Sequence, residues 1–215
     1  FEITAQNDSG SDLNVFASDK QKLRDIILDM AVNKLDPVTV EPDVIGVRRL
    51  CEQLGAASWK SFVWAMISNH NCYIISPVAE RNKPLLRTFL TGPSQNKTSL
   101  LSREIMITAA AGNSNGLIEG VKVYDSTGTL DAAAVGQLVS LNVESIDIPA
   151  GLSAAGTDPQ QCPAMEMICA AGAAMGQLVK SDIVDFRAAF MPYQGKKIII
   201  ETTIKAVSVI AAIVI

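Results

Sequence analysis

Residues 59–75 read WKSFVWAMISNHNCYII, and the interpretation of this stretch decides how the chain divides into helices and strands. Its first part places large apolar side chains at the spacing of one helix face, which predicts a helix from Ser58 to Ser68. Its last part, Cys72–Ile75, is a short apolar run typical of a buried strand. The stretch therefore predicts a mixed protein in which helices come before strands.

Two further helices are predicted before this stretch. Ser18 and Gln21 form a capping box, and apolar residues recur on one helix face over Asp19–Lys34. Pro42 takes the first position of the second helix, which is expected to end near Gly55. The expected core faces are Leu23, Ile26, Ile27, Met30 and Ala31 in the first helix, and Val44, Val47, Leu50, Cys51 and Leu54 in the second.

Helices are predicted to continue after this stretch, and strands to follow them. Pro84–Leu90 and Thr98–Ala111 fit helices, and Gly112–Gly116 is a strong turn signal. Past that turn, Leu117–Tyr124 and Val139–Ile148 favour strands. The sequence thus predicts an α+β fold with about five helices in a helical N-terminal half, and with the strands in the C-terminal half.

The C-terminal end is predicted to form an apolar strand after a helix at Pro163–Lys180. The uncharged run Ala206–Ile215 has ten residues, whereas a membrane-spanning helix needs about 20, so we predict no membrane span. Its β-branched residues favour a strand. A strand this apolar requires burial, either in its own sheet or against a neighbouring copy.

The domain organisation is predicted to be simple. Residues 1–18 are rich in Asn, Asp and Ser and lack a periodic pattern, so we expect a flexible N-terminal arm. Residues 19–215 are expected to form a single α+β domain, with any subdomain boundary at residues 112–116. No basic segment followed by an apolar core is present, so no signal peptide is expected in these residues.

The sequence carries no recognisable catalytic set. Its four cysteines lack a Cys-x-x-Cys pair, and His70 is the single histidine, so we expect reduced thiols and no metal site. A Gly-rich phosphate loop and a Gly-x-Ser-x-Gly elbow are absent. A pair of His70 and Cys72 would lack a third group to orient it. We therefore predict a protein that is not an enzyme and holds no cofactor.

Charge is distributed unevenly along the chain. Residues 44–103 carry a net charge of +6, whereas the whole chain carries −4 and the remainder therefore −10. A cationic segment of this kind suits the phosphates of RNA, or an acidic surface on another copy. The predicted phosphate contacts are Arg48, Arg49, Lys60, Arg81, Lys83, Arg87, Lys97 and Arg103.

Small residues in the helix at Pro163–Lys180 indicate close packing. Gly172 and Gly176 are four residues apart, which lets another element approach the helix backbone. Each glycine costs about 1 kcal/mol of helix stability relative to alanine, so close packing should offset it. The predicted self-association residues are Gly172 and Gly176 in this helix, and Ile210, Ile213 and Ile215 in the final strand.

These features together predict a self-assembling structural subunit. Charged residues make up only 19% of the chain, below the usual value of about 25%, and a charge-poor surface tends to be covered. The specific expectation is a viral coat or nucleocapsid-type protein that packs against its own copies and contacts RNA, in a virion or cytoplasmic assembly. Two alternatives stay open: a small-molecule enzyme or binding domain with a pocket near residues 113–115 or 149–163, and a surface or secreted filament subunit.

Overall fold

The structure is a computed structural model that describes residues 2–7, 10–54, 60–78, 83–112, 116–147, 164–179, 184–191 and 193. The chain forms two compact units. The sheet unit comprises residues 1–15 and 42–183, and the α1 unit, named after its helix α1 (Lys20–Val32), comprises residues 16–41 and 184–215. The domain organisation expected from the sequence, a flexible arm at residues 1–18 before a single domain at residues 19–215, stays a prediction.

The sheet unit contains a mixed five-stranded sheet with the strand order β5-β4-β3-β6-β7. Its strands are β3 (Phe62–Ile67), β4 (Asn71–Ser76), β5 (Leu85–Leu90), β6 (Gly120–Asp125) and β7 (Asn142–Ser145). The strands β3, β4 and β5 form an antiparallel meander, and β6 and β7 continue the sheet parallel to β3. Helices α2 (Asp43–Leu54), α3 (Lys97–Ala111), α4 (Ala132–Val139) and α5 (Ala164–Val179) accompany it. The predicted α+β class is therefore confirmed.

The predicted order of helices before strands is wrong. The segment expected to be a helix from Ser58 to Ser68 contains strand β3, and the one expected at Pro84–Leu90 is strand β5. Strand β3 is buried on both faces, so its apolar residues run continuously and a helical spacing can be selected from them by chance. The buried strand predicted at Cys72–Ile75 and the helix predicted at Thr98–Ala111 are present as β4 and α3.

Two other segments differ from expectation. Residues 132–139 form helix α4, whose N-cap Asp131 accepts a hydrogen bond at Oδ1 from Ala134 N at 2.9 Å. The strand expected at Val139–Ile148 is accordingly the shorter β7. Near the N-terminus, β1 (Glu2–Asn7) and β2 (Gly10–Asn14) form an antiparallel pair where no periodic pattern was found. The predicted C-terminal strand lies outside the described residues.

The two faces of the sheet are covered by different helices. The α3 face carries Val63, Ala65 and Ile67 of β3, which pack with Leu101 and Ile105 of α3 and with apolar residues of α4. On the opposite face, called the α2 face, α2 packs against β4 and β5. Tyr73 of β4 donates a hydrogen bond there from its hydroxyl to Asp43 Oδ2 at 2.5 Å. Strand β4 is therefore in contact with a helix on each of its faces.

Helices α2 and α5 make the most extensive helix–helix contact in the described part of the chain. They cross at two glycines, because a methyl group on Gly172 would overlap the carbonyl of Gly46 and lie 2.7 Å from its Cα. A methyl group on Gly46 would in turn lie 2.8 Å from Cys169 O. The close packing expected of the Gly172 helix is thus made with α2 of the same chain.

The α1 unit contains helix α1 (Lys20–Val32), close to the predicted Asp19–Lys34. Its N-cap is Asp19 and not Ser18, since Asp19 Oδ1 accepts hydrogen bonds from Gln21 N at 2.8 Å and Lys22 N at 3.0 Å. Leu23 and Ile27 are buried as predicted, but Ile26 is 56% exposed. A buried Arg187 in the short helix α6 (Arg187–Phe190) binds Asp36 Oδ1 at 2.6 Å and ties this unit together.

We expect Gly172→Ala to lower the free energy of unfolding by about 3 kcal/mol, because the added methyl meets backbone atoms that cannot move aside. Alanine would otherwise favour the helix by about 1 kcal/mol. The matched control is Gly176→Ala, whose methyl meets the end of the Arg49 side chain and not backbone atoms, and should cost less. Urea denaturation of both variants measures the difference, and equal losses would contradict the proposed role of the crossing.

Candidate functional site

The structure distributes the predicted phosphate contacts over different parts of the sheet unit. Arg48 and Arg49 lie on α2 and are each 5% exposed. Arg48 Nε lies 3.5 Å from Glu52 Oε1, one helical turn along. Arg87, in contrast, lies opposite Ile74 on the α3 face. The arginines therefore occupy opposite sides of the sheet and do not form one cationic surface.

A buried carboxylate engages two of the other predicted contacts. Glu104 of α3 is 5% exposed, and its Oε2 lies 2.5 Å from Arg87 Nη2. Its Oε1 lies 2.7 Å from Arg103 Nη2. Lys60 is exposed, Lys83 is half-buried, and Arg81 lies outside the described residues. The role of these residues in nucleic-acid binding stays a prediction.

The predicted self-association residues fall into two groups. Gly172 and Gly176 face α2 within the chain, Gly172 against Gly46 and Gly176 against the Arg49 side chain. Ile210, Ile213 and Ile215 lie outside the described residues. Their part in contacts between copies stays a prediction.

Polar groups converge at one edge of the sheet, where β3, β5, β6 and β7 all end. The strand directions place these carboxyl ends together, and such edges are the usual ligand-binding position of open sheets. The loop after β5 leads into α3, and the loop after β6 leads into α4. A hydrogen bond from Asp131 N to Thr98 Oγ1 at 3.1 Å joins the two loops. The two helices therefore begin side by side.

The loop after β6 is organised by Asp125. Its Oδ1 accepts hydrogen bonds from Thr127 N at 2.8 Å and Thr127 Oγ1 at 2.7 Å, and its Oδ2 accepts one from Leu130 N at 2.9 Å. Partial burial acts to raise the pKa of Asp125, but the hydrogen bonds from Thr127, Leu130 and Thr129 outweigh it and hold the pKa below its ordinary value. The carboxylate is thus ionised, and its hydrogen bonds hold the loop after β6 in place.

The loop after β5 is closed by other bonds. Gln95 N donates to Gly92 O at 3.2 Å, and Gly92 N donates to Gln95 Oε1 at 2.9 Å. Asn96 caps α3 by accepting a hydrogen bond from Ser99 N at 3.0 Å. Lys97 folds back so that its Nζ donates to Gly92 O at 3.3 Å. The sequence analysis missed this strand–loop–helix unit, because it predicted Pro84–Leu90, which contains β5, as a helix.

An apolar cavity opens beside α3 and α4. Its volume is about 280 Å³, and it is lined by Ile105, Met106, Ala109, Gly116, Ile118, Val139 and Leu141. Met106 is 47% exposed, and Leu117 and Leu138, next to lining residues in the chain, are 43% and 53% exposed. The cavity and these three side chains are called the apolar groove below. The pocket suggested by the sequence near residues 113–115 lies outside the described residues.

The described residues show no activated nucleophile among the cysteines and histidine. Cys51, Cys72 and Cys169 form no disulfide, and burial raises the pKa of both Cys51 and Cys72, which disfavours the reactive thiolate. His70 is exposed in the turn before β4, whereas Cys72 is fully buried. In the same part of the chain, no group of three or more His, Cys, Asp or Glu side chains is placed to hold a metal ion.

Comparisons with protein-family models and with curated proteins found no match to this chain. None of the helices within the described ranges is long and apolar enough to cross a membrane.

We expect Arg87→Met to lower the free energy of unfolding by about 2 kcal/mol. The buried Glu104 carboxylate would then keep only Arg103 of its two arginine partners, and the Arg103 side chain is mostly exposed. The loss stays below that of a fully buried pair because the Arg87 side chain is itself 38% exposed. Arg103→Met is the matched control and should cost no more than about 0.5 kcal/mol, because the Arg103 side chain is 64% exposed. Chemical denaturation checks this order, and a larger loss for Arg103→Met would contradict it.

We expect Asp125→Asn to destabilise the protein at pH 7 and to lose that effect in acid. The pKa of Asp125 is lower in the folded chain than in the unfolded chain, so its contribution is present above the unfolded value of about 3.9. The contribution is lost as the pH falls through the folded-state pKa. Urea denaturation at pH 7 and near pH 3 measures the two differences, and an equal difference at both pH values would refute the assignment.

Proposed function

We propose that this protein is a self-assembling structural subunit, and specifically a coat or nucleocapsid-type protein of a virus. The apolar groove is the single observation that carries the proposal. Met106, which is 47% exposed, lines a cavity whose side chains are all apolar, and Leu117 and Leu138, 43% and 53% exposed, directly adjoin lining residues in the sequence. Single exposed apolar side chains are ordinary, but a contiguous patch around a cavity marks an interaction surface.

A second copy of the chain is the proposed occupant of this surface. The charge of the chain is split between a +6 segment at residues 44–103 and a remainder of −10. A protein with both signs in separate segments can attract its own copies in a preferred orientation. Of the cationic segment, Lys60 and the Arg103 side chain are exposed, so charge complementarity between copies would involve these side chains and not the whole segment.

The α1 unit carries a second apolar surface. Leu28 and Val32 lie four residues apart on α1 and are 44% and 83% exposed. Residues at this spacing share one side of a helix. Two different apolar surfaces on one chain permit heterologous contacts, which build rings or extended arrays and not only dimers.

Contact with RNA phosphates is part of the proposal, through the outward-facing members of the predicted set. Lys60 is exposed, and the Arg103 side chain is 64% exposed. Such contacts read phosphate charge and not base sequence, so binding should weaken steeply with salt. The proposed location is a virion or a cytoplasmic assembly.

We expect the purified protein to form a large regular assembly, and Leu138→Glu to shift it toward the monomer by placing a charge in the apolar groove. Light scattering after size-exclusion chromatography and negative-stain electron microscopy measure the size. Gln137→Glu is the matched control, because it adds the same charge at the neighbouring exposed position of α4. A monomeric wild-type protein, or equal effects of the two variants, would overturn the proposal.

A second candidate function is the binding of a small apolar molecule in the same cavity. The volume of about 280 Å³ lies just below the usual range of about 300–1,000 Å³ for ligand pockets. No polar side chain lines the cavity to orient a ligand, so this candidate ranks second. A monomeric protein whose melting temperature rises with apolar ligands, and does so less after Ile118→Trp, would favour it.

A further inference from the structure

Strand β5 lies at the outer side of the five-stranded sheet and, among the described strands, is paired with β4 alone. The orientation of its backbone follows from the β4–β5 register and from the hydrogen bond that continues it, from Thr91 N to His70 O at 2.8 Å. Residues of an antiparallel strand alternately face the neighbouring strand and face away from it. The N–H and C=O groups of Leu86, Thr88 and Leu90 therefore point away from β4, and within the described contacts they have no hydrogen-bond partner. This row of groups is called the β5 edge below.

The β5 edge is less protected than the strand on the other side of the sheet. Proteins protect exposed strands by keeping them short and by placing charged side chains on them. Strand β7, on the other side, has four residues and carries Glu144, whose side chain is 54% exposed. Strand β5 has six residues, its one charged residue, Arg87, binds Glu104, and Leu90 is 82% exposed. The β5 edge is therefore open to the addition of another strand.

The sequence along the β5 edge is complementary to itself when two copies run antiparallel. The strand reads LRTFL from Leu86 to Leu90, so a two-fold axis at Thr88 places Leu90 opposite Leu86 of the second copy. The same axis places Thr88 opposite Thr88, and Arg87 opposite Phe89 of the second copy. Apolar pairs and threonine pairs on neighbouring strands are favourable, as is a guanidinium group beside an aromatic ring.

Charge and apolar side chains favour this register over its two neighbours. An axis at Arg87 would place two arginines directly opposite each other, and like charges in that position are destabilising. An axis at Phe89 would place the exposed Leu90 opposite Thr88 of the second copy, and Leu86 beyond the end of its strand. Of the three registers, the one centred on Thr88 pairs both leucines and separates the two arginines.

We propose that the β5 edges of two copies of this chain pair antiparallel about a two-fold axis at Thr88, which joins their two sheets into one. The main-chain hydrogen bonds supply the affinity, and the side-chain pairs set the register. The pairing begins after Pro84, whose carbonyl already accepts a hydrogen bond from Asn14 Nδ2 at 3.3 Å. This contact is isologous and closes as a dimer. It uses none of the residues of the apolar groove, so it goes beyond the proposed function and is tested independently of it.

Analytical ultracentrifugation of the full chain in the Leu138→Glu background, where the apolar groove carries a charge, tests the pairing. The expected species is a dimer. Thr88→Pro should raise its dissociation constant by at least about tenfold, because the outward N–H of Thr88 is lost on both copies. That N–H takes no part in the bonds to β4, so proline leaves the sheet intact. Thr88→Ala is the matched control, because it loses the same hydroxyl and keeps the N–H.

The outcomes separate this pairing from the proposed function. A monomer in the Leu138→Glu background, or a dimer that Thr88→Pro leaves unchanged, would overturn the pairing. An assembly that Leu138→Glu leaves at its full size would overturn the role of the apolar groove, and Thr88→Pro should then still break that assembly into smaller species. An assembly that neither variant changes would overturn both proposals.

A second pair of variants excludes an effect of proline on folding. Leu90→Lys places a charge opposite Leu86 of the second copy and should weaken the dimer by at least about tenfold. The matched control Leu178→Lys makes the same change at a leucine of α5 with nearly the same exposure, 84% against 82%, and should leave the dimer intact. Circular dichroism should show the same fold for both variants. Equal weakening of the dimer by the two variants would contradict the pairing.

Hydrogen exchange measured by NMR identifies the occupant of the β5 edge. The amide protons of Thr88 and Leu90 should exchange more slowly as the protein concentration rises, because pairing between copies protects them. The amides of Arg87 and Phe89 face β4 and serve as an internal reference. Slow exchange at every concentration would place a segment of the same chain on the edge, such as the predicted C-terminal strand, and would overturn the proposal. Fast exchange at every concentration would overturn it as well.

Discussion

The burial of strand β3 on both of its faces is the constraint on which the rest of the sheet unit depends. Val63, Ala65 and Ile67 are fully buried, and Trp64 and Met66 are at most 3% exposed. A strand with no solvent-facing side needs a neighbour at each edge to pair its backbone and a helix layer on each face to cover its side chains. Strands β4 and β6 supply the edges. Helices α3 and α4 cover one face of β3, and on the other side of the sheet α2 packs against the neighbouring strands β4 and β5.

The same constraint explains which elements the sequence predicted. Helices α1, α2, α3 and α5 were found from caps, prolines and one-sided apolar patterns, which are local signals. Strands β3 and β5 were mistaken for helices. For β3, burial on both faces removes the alternation that identifies a strand. Helix α4 was missed since its eight residues are short for a pattern and run directly into a strand signal. Strand order is set by long-range pairing, which no local pattern encodes.

The candidate site was less predictable than the fold, and the reason is visible at Glu104. The +6 segment stops at Arg103 and excludes the next residue, whose buried carboxylate binds both Arg87 and Arg103. A count of charges along the chain cannot distinguish a paired arginine from an accessible one. The reverse holds for Lys97, whose neighbours in sequence give no sign that it is buried without an acidic partner. Pairing and burial are properties of the folded chain, so they appear only with the structure.

The crossing of Gly46 and Gly172 also has a consequence for the order of folding. Helix α2 is synthesised early, whereas its partner α5 lies beyond the entire sheet in the sequence. The backbone of α2 at Gly46 therefore stays uncovered until the ribosome has translated all five strands of the large sheet and then α5. Contacts so distant in sequence form late and slowly. During that interval the nascent chain displays an uncovered apolar helix face, which is a natural substrate for a chaperone.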